Sequence, residues 1–218
     1  MSSRSVLIGS LSCDLPQGLL QALGEMPDAD VIGPLSRWDE LLAAVDREAP
    51  QLLVLDRLLW RAASPRRLTP IAPQGPAMRV MMFADVIDVA VVGEAIAYGV
   101  HGCVPADSTA AQWANAIQVV LRDDVAMPRK LLAQALAKAL DRRRADREAK
   151  TDTAAKIEPL TERERDVIRC VTSGMTNKEI AIRLGISGAT VKTHLHHVFG
   201  KLKVGRRMLL LPGPLSQQ

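Results

Sequence analysis

Apolar and polar positions follow one pattern over roughly the first 121 residues of the chain. Short apolar runs there are separated by segments with apolar residues at helical spacing. This alternation is typical of a parallel sheet wrapped by helices. It predicts five strands, over residues 6–10, 30–33, 52–56, 80–83 and 102–104. The fold class expected for this half is therefore flavodoxin-like α/β, in which functional residues lie at the carboxyl ends of the strands.

Helix signals and breaker residues fill the spaces between these strands. Ser36 followed by Asp39 predicts the start of one helix, a second is predicted over residues 87–98, and a third after Asp107 or Ser108. The stretch between Trp60 and Ala77 contains four prolines and is predicted to be an irregular loop. That loop is either a family-specific decoration or a surface for a partner or ligand.

After residue 128 the pattern becomes helical throughout. Residues from about 129 to 147 carry an apolar face that packs either on the same chain or on a second copy, and 151–159 has the composition of a flexible tether. Thr161 with Glu164, and Thr176 with Glu179, form two capping boxes that predict the starts of two helices. Ser187 caps a third helix after the short turn 185–188, which predicts a helix-turn-helix.

Charge divides the chain in the same place as the pattern. Residues 1–128 hold 9 Lys or Arg and 15 Asp or Glu, a net charge of −6, whereas 129–159 and 160–218 carry +4 and +6. We therefore predict three parts: an acidic α/β domain (1–127), a helical linker with a tether (128–159) and a basic domain (160–218). An acidic front and a basic back indicate a partner-sensing domain joined to an anion-binding one.

Cysteine usage and hydropathy indicate the cellular setting. Cys13, Cys103 and Cys170 lack the spacing of a metal or redox site and are expected to be reduced core thiols. The longest apolar stretch, 80–100, is interrupted by acidic residues, so no transmembrane segment is predicted. We expect a cytoplasmic protein without a cofactor.

The basic domain carries the most specific motif. The segments LTERERDVI and GMTNKEIAIRLGISGATVKTHLHHVFGKL closely resemble the DNA-binding domain of NarL/LuxR-type (FixJ-like) transcriptional regulators, a four-helix helix-turn-helix fold. The resemblance implies double-stranded DNA as the partner and a dimer on a palindromic site. It places Lys192, Thr193 and His196 at base-facing positions of the recognition helix. It places phosphate contacts at Asn177, Lys178, Thr190, His197 and Lys201.

Helical spacing supports the base-facing assignment independently. With Val191, Leu195 and Val198 turned inward, Lys192 and Thr193 remain on the outward face. A lysine there donates to guanine or phosphate, and a threonine offers a methyl group to thymine. Outside a DNA-binding framework, such residues are more often merely solvated. The neighbouring histidines, including His194, lack further ligands in sequence, so a zinc site is not predicted.

The front half resembles the receiver domain of response regulators, through VLIG, LLVLD, RVMMFA and GVHGCVPAD. Asp56 matches the position that such domains phosphorylate. The acidic pair that holds Mg²⁺ is replaced by Ser10 and Leu11, and the hydroxyl and lysine positions by Ala84 and Ala106. Phosphoryl transfer depends on positioning and charge stabilisation, so this receiver is expected to work without aspartyl phosphate. Asp56 then has a structural role only.

Two functional alternatives stay open beside this interpretation. The first is a conventional regulator switched by phosphorylation of Asp56. The second is a protein-interaction module that sequesters another regulator, suggested by the acidic front half and by a last helix that Pro212 limits to about two turns. A sensor or regulatory protein is a further expected partner of the receiver-like half. The motifs indicate no catalytic activity, so we predict a transcriptional regulator rather than an enzyme.

Overall fold

The computed structural model describes residues 4–62, 78–122, 124–148 and 159–201. The front half contains a parallel sheet with the strand order β2-β1-β3-β4-β5, which is the flavodoxin-like order. All five predicted strands are confirmed, with ends shifted by at most two residues. They are β1 (Arg4–Gly9), β2 (Ala29–Leu35), β3 (Leu52–Asp56), β4 (Arg79–Ala84) and β5 (Gly102–Pro105).

Helices cover both faces of the sheet, so the central strand is buried along its whole length. All five residues of β3 are buried. One face packs against α1 and α5 through Leu19 and Trp113, and the other packs against α2, α3 and α4 through Leu41 and Leu59. These helices are α1 (Gln17–Gly24), α2 (Trp38–Glu48), α3 (Arg57–Ala62), α4 (Val89–Ala97) and α5 (Ala110–Leu121).

One predicted helix start in this half was wrong in detail. The N-cap of α2 is Arg37, whose guanidinium pairs with Asp39 at 2.6 Å, so that carboxylate is not available to complete a capping box with Ser36. This correction concerns a local hydrogen bond that apolar spacing does not record. The helix predicted after Asp107 or Ser108 is confirmed as α5, whose N-cap Thr109 forms a capping box with Gln112.

Two further expectations need correction. The segment after β3 begins as the short helix α3, which includes Trp60, so the irregular loop does not start at that residue. Cys13 is exposed and is not a core thiol, because it lies in the polar connection between β1 and α1; Cys103 and Cys170 are buried as expected.

The predicted linker helix, α6 (Arg129–Glu148), packs within its own chain. Its apolar face lies between α4 of the front half and α7 (Glu162–Thr172) of the back half, with Leu132 and Leu136 buried. The approach to α4 is close: a Cβ at Gly93 would meet the Cβ of Ala135 at 4.0 Å. One continuous apolar cluster therefore extends from the sheet through α6 into the back half.

Several expectations fall outside the described residues. They are the proline-rich stretch beyond residue 62, the tether and the short last helix after residue 205. Within the ranges given above, no helix combines the length and apolar character required to span a membrane.

Candidate nucleic-acid interface

The back half is built on the two predicted capping boxes. The Thr161 hydroxyl accepts from the N–H of Glu164, and the Glu164 carboxylate accepts from the N–H of Thr161 at 2.7 Å. Thr176 and Glu179 repeat the arrangement at the start of α8 (Asn177–Leu184). Both boxes are confirmed, and they fix where the first two helices of this domain begin.

A short turn joins α8 to α9 (Gly188–Lys201). Gly185 ends α8 in the left-handed region with φ of 64°, a conformation that favours glycine. The Ser187 hydroxyl then accepts from the N–H of Thr190 and caps α9, as predicted. Two helices joined in this way form a helix-turn-helix.

The apolar stripe of α9 is buried and its other side faces outward. Val191, Leu195 and Val198 are each at most 1% exposed. Thr193 lies on the exposed side, where its hydroxyl donates to the Ala189 carbonyl at 3.1 Å. His196 lies in α9, but its side chain is outside the described residues. The helix therefore presents a polar face, as helical spacing predicted.

Lys192 points from this face to the front half of the chain. Its ammonium donates to the Arg122 carbonyl at 3.2 Å and lies 3.4 Å from the Asp124 carboxylate. The two charged side chains are 28% and 27% exposed, so the pair is partly shielded from water. In this arrangement a predicted base-reading side chain has an intramolecular partner.

Asn177 belongs to the same polar cluster. Its amide donates to Asp124 at 2.7 Å, and its oxygen accepts from the Arg129 guanidinium at 3.1 Å. Arg129 also donates to the Met175 carbonyl. We call Arg122, Asp124, Arg129, Asn177 and Lys192 the polar contact. It links the end of α5 and the start of α6 to the helix-turn-helix.

The other predicted phosphate-contacting residues differ in their exposure to solvent and in their hydrogen-bond partners. Lys178 and His197 are exposed, and the Thr190 hydroxyl is hydrogen-bonded to Ser187 at 2.8 Å. Lys201 is 15% exposed, and its ammonium lies 3.0 Å from the carboxylate of buried Glu164, so it also balances a charge inside the domain. Across the described residues, no cluster of His, Cys, Asp and Glu that could hold a metal ion is found.

The receiver-like half places Asp56 at the carboxyl end of β3, where the carboxylate is covered and hydrogen-bonded. It accepts from the Ser10 hydroxyl at 3.2 Å and from the N–H groups of Leu11 and Leu58 at 3.4 and 2.8 Å. Asp56 is 5% exposed and Ser10 is 1% exposed. The neighbouring Arg57 guanidinium pairs with Glu94 instead. Protein donors therefore occupy this carboxylate.

Comparison with known proteins gives one family. Residues 158–211 match the family described as "Bacterial regulatory proteins, luxR family". The DNA-binding transcriptional activator DevR/DosR of Mycobacterium tuberculosis is 28% identical over 191 residues, covering 88% of this chain and 84% of its own. The response regulator protein VraR of Staphylococcus aureus is 26% identical, covering 87% and 86%.

Residues 158–211 of this chain form a luxR-family domain, and most of the chain is similar to response regulators of the NarL/LuxR type. The family consists of DNA-binding transcriptional regulators and not of enzymes. A structure of the Salmonella typhimurium RcsB response regulator covers 93% of each chain with a TM-score of 0.48 and 15% identity.

The polar contact was missed by sequence reasoning. Asp124 and Arg129 lie just after α5 and at the start of α6, where a short polar segment normally indicates a solvated connection. The only signal was charge: Asp124 belongs to the acidic front half and Lys192 to the basic back half. That signal indicates attraction between the halves but does not select the residues.

The Lys201–Glu164 pair predicts a pH dependence of stability in this regulator. Burial raises the pKa of Glu164, but the Thr161 N–H and the Lys201 ammonium outweigh it, so the pKa lies below its ordinary value of 4.5. A depressed carboxyl pKa contributes stability above the unfolded value, and that stability is lost as the pH falls through the folded one. Unfolding followed by circular dichroism should show this loss below about pH 4.5.

Glu164→Gln is expected to remove that acid-dependent part and to lower stability at pH 7 by roughly 1–3 kcal/mol, because a buried hydrogen-bonded charge is lost. The matched control is Glu162→Gln, an exposed residue in the same helical turn. If Glu164→Gln lost stability at acidic pH to the same extent as the wild type, Glu164 would not be the group responsible.

Proposed function

We propose that this regulator binds double-stranded DNA as a homodimer at a palindromic site in the cytoplasm, with the outward face of α9 in the major groove. The observation that carries this proposal is the geometry of α9, which buries Val191, Leu195 and Val198 and leaves Thr193 exposed. Two such helices about one turn of DNA apart require a site with matching half-sites.

Within this proposal the residues of α9 have separate tasks. Lys192, Thr193 and His196 face base edges and supply sequence discrimination. The remaining residues contact the backbone and fix the orientation of the domain on the duplex. These backbone contacts are assigned to Asn177, Lys178, Thr190, His197 and Lys201.

DNA binding then requires the polar contact to open. Lys192 and Asn177 cannot contact a duplex while Arg122, Asp124 and Arg129 occupy their polar atoms. The phosphate backbone competes with the Asp124 carboxylate for the same lysine. The front half is in this sense a competitor of DNA, and any ligand that favours the open arrangement raises affinity for the duplex.

We further propose that opening does not depend on aspartyl phosphate. Asp56 lies at the carboxyl edge of the sheet, where Ser10 and Leu11 replace the expected metal-binding carboxylates and three protein groups donate to Asp56. Asp124 lies at the opposite edge, because α5 runs back across the sheet before it. A switch at Asp56 therefore has no direct contact with the polar cluster that holds α9.

Incubation with acetyl phosphate and Mg²⁺ tests phosphorylation independence. Intact-mass measurement is expected to show no added phosphoryl group, because Ser10 and Leu11 stand where a carboxylate pair would hold the Mg²⁺ that offsets the charge of the transferring group. Asp56→Asn is expected to bind DNA within about twofold of the wild type, which is near the limit of a titration. A phosphorylated species with higher DNA affinity would establish the conventional phosphorylation switch instead.

A second candidate function is sequestration of another regulator. The observation that favours it is the engagement of Lys192 and Asn177 by the front half, which leaves the recognition face partly occupied. Genome-wide mapping of bound sites, followed by titration of a mapped duplex, separates the two functions. Enrichment of one palindromic motif supports the DNA-binding proposal, and absence of any enriched motif supports sequestration.

A further inference from the structure

His101 has a buried imidazole ring that accepts a backbone hydrogen bond. The residue is 8% exposed and lies directly before β5. Its Nδ1 accepts from the N–H of Val80 at 3.2 Å, and its own N–H donates to the Val80 carbonyl at 2.7 Å. A nitrogen that accepts a hydrogen bond uses its lone pair, so this arrangement requires a ring without a proton on Nδ1.

The position of Val80 in β4 explains why a side chain supplies this acceptor. Arg79 donates its N–H to the Gln51 carbonyl on the side of β3, so the next N–H, that of Val80, points towards β5. Val80 is 3% exposed, and water therefore cannot replace the imidazole as its partner. A proton on Nδ1 would place two N–H groups against each other and leave a buried donor without an acceptor.

His101 also holds the short segment of chain that carries Asp124. The His101 carbonyl accepts from the N–H of Ala126 at 2.9 Å, and the Ala126 carbonyl accepts from the N–H of Cys103 at 2.9 Å. The segment lies close to the strand, since a Cβ at Gly102 would meet the Cβ of Ala126 at 3.3 Å. A shift of His101 therefore moves this segment as well.

Asp124 connects this segment to the helix-turn-helix. It lies two positions before Ala126 and is the acidic member of the polar contact. Its carboxylate accepts from the Asn177 amide at 2.7 Å and lies 3.4 Å from the Lys192 ammonium. Movement of the segment therefore acts directly on two residues that are assigned to DNA.

We propose that protonation of His101 opens the polar contact and thereby raises the affinity of the chain for DNA as the pH falls. The proposal rests on the proposed function, in which the front half competes with DNA for Lys192 and Asn177. An imidazole ordinarily gains its proton as the pH falls from about 8 to 5. The hydrogen bond from Val80 forms only with an unprotonated Nδ1, so a proton binds the open arrangement more tightly, and a lower pH favours opening.

Other titratable groups near the start of β5 change charge outside this pH range. Burial raises the pKa of the Cys103 thiol to about 12, and burial together with Glu94 raises the pKa of Tyr98, so both stay neutral. Carboxylates ordinarily titrate near pH 4 and guanidinium groups above pH 12. In the described parts of β4, α4, the end of α5 and the segment after it, the charged residues are Arg79, Glu94, Arg122 and Asp124.

The histidines of α9 also gain charge in this range, and the test must separate their contribution. Protonation of His194, His196 and His197 adds positive charge to the recognition helix and strengthens DNA binding without any opening. His101→Asn removes only the contribution of His101. Its side-chain oxygen lies near the position of Nδ1, accepts from Val80 and does not titrate.

Titration of a mapped duplex at about pH 7.5 and pH 5.5, at fixed salt, tests the proposal on the full-length protein. The wild type is expected to gain about fivefold more affinity between these two pH values than His101→Asn gains. Circular dichroism at both pH values checks that the variant is folded. Equal gains in the two proteins would overturn the proposal.

Amide hydrogen exchange supplies a readout that needs no DNA. In the wild type, the protection of the Val80 and Ala126 amides, corrected for the intrinsic effect of pH, is expected to fall on the order of tenfold between the same pH values. His197→Asn, the matched control in α9, keeps that fall, whereas His101→Asn abolishes it. Constant protection in the wild type alongside normal DNA binding would contradict the switch alone, whereas a fall in protection without binding to any duplex would contradict the proposed function.

Discussion

Raising the salt concentration from about 50 to 200 mM is expected to weaken binding to a duplex by on the order of 100-fold. Each protomer offers Lys178 and Lys201 to the phosphates, so a dimer brings four lysines to them, while Lys192 faces base edges. Neutralised phosphates release counterions, and added salt opposes that release. Fluorescence anisotropy at several salt concentrations measures the slope of log affinity against log salt.

Lys178→Ala provides the internal comparison for this slope. Lys178 is exposed at the start of α8, and its loss is expected to lower the slope by about 1 per protomer with little change in sequence preference. A slope near zero in the wild type would contradict DNA binding by this face. That result would favour the alternative in which the chain sequesters another regulator through an apolar surface.

Lys192→Ala is expected to weaken specific binding by about 1–3 kcal/mol, or roughly 5- to 150-fold. The lysine occupies the outward face of α9, where its ammonium reaches base acceptors or phosphate. The same substitution removes the contact with Asp124, which partly offsets the loss by making the open arrangement easier to reach. A titration of the specific duplex at fixed salt gives the net effect.

Asp124→Ala is the matched change on the other side of this contact, and its expected effect has the opposite sign. Removing the carboxylate takes away one partner each of Lys192 and Asn177, and a partly exposed ion pair contributes about 0.2–1 kcal/mol. DNA affinity should therefore rise up to about fivefold. Weaker DNA binding by Asp124→Ala would contradict competition between the front half and DNA.

Apolar spacing predicted the helices and strands in which buried residues recur at a regular interval along the sequence. The fully buried strand β3 is confirmed at residues 52–56, since the apolar run over 52–55 suits a central parallel strand. The capping boxes at Thr161 and Thr176 are likewise confirmed, because each is a local motif with its partner three residues away. Local signals of this kind are fully present in the sequence.

Contacts between distant polar residues could not be predicted in the same way. Lys192 and Arg122 are 70 positions apart, and no periodicity relates them. Their meeting depends on α6, whose apolar face was equally compatible with packing on a second copy.

The central claim is that the outward face of α9 reads base edges. Selection of bound sequences from a random duplex pool, carried out in parallel with wild type and Thr193→Ala, tests it most directly. Thr193 is exposed on α9, so its loss should relax the preference at one position in each half-site and leave the rest of a palindromic motif intact. Identical motifs from the two proteins, or no motif from either, would contradict the account.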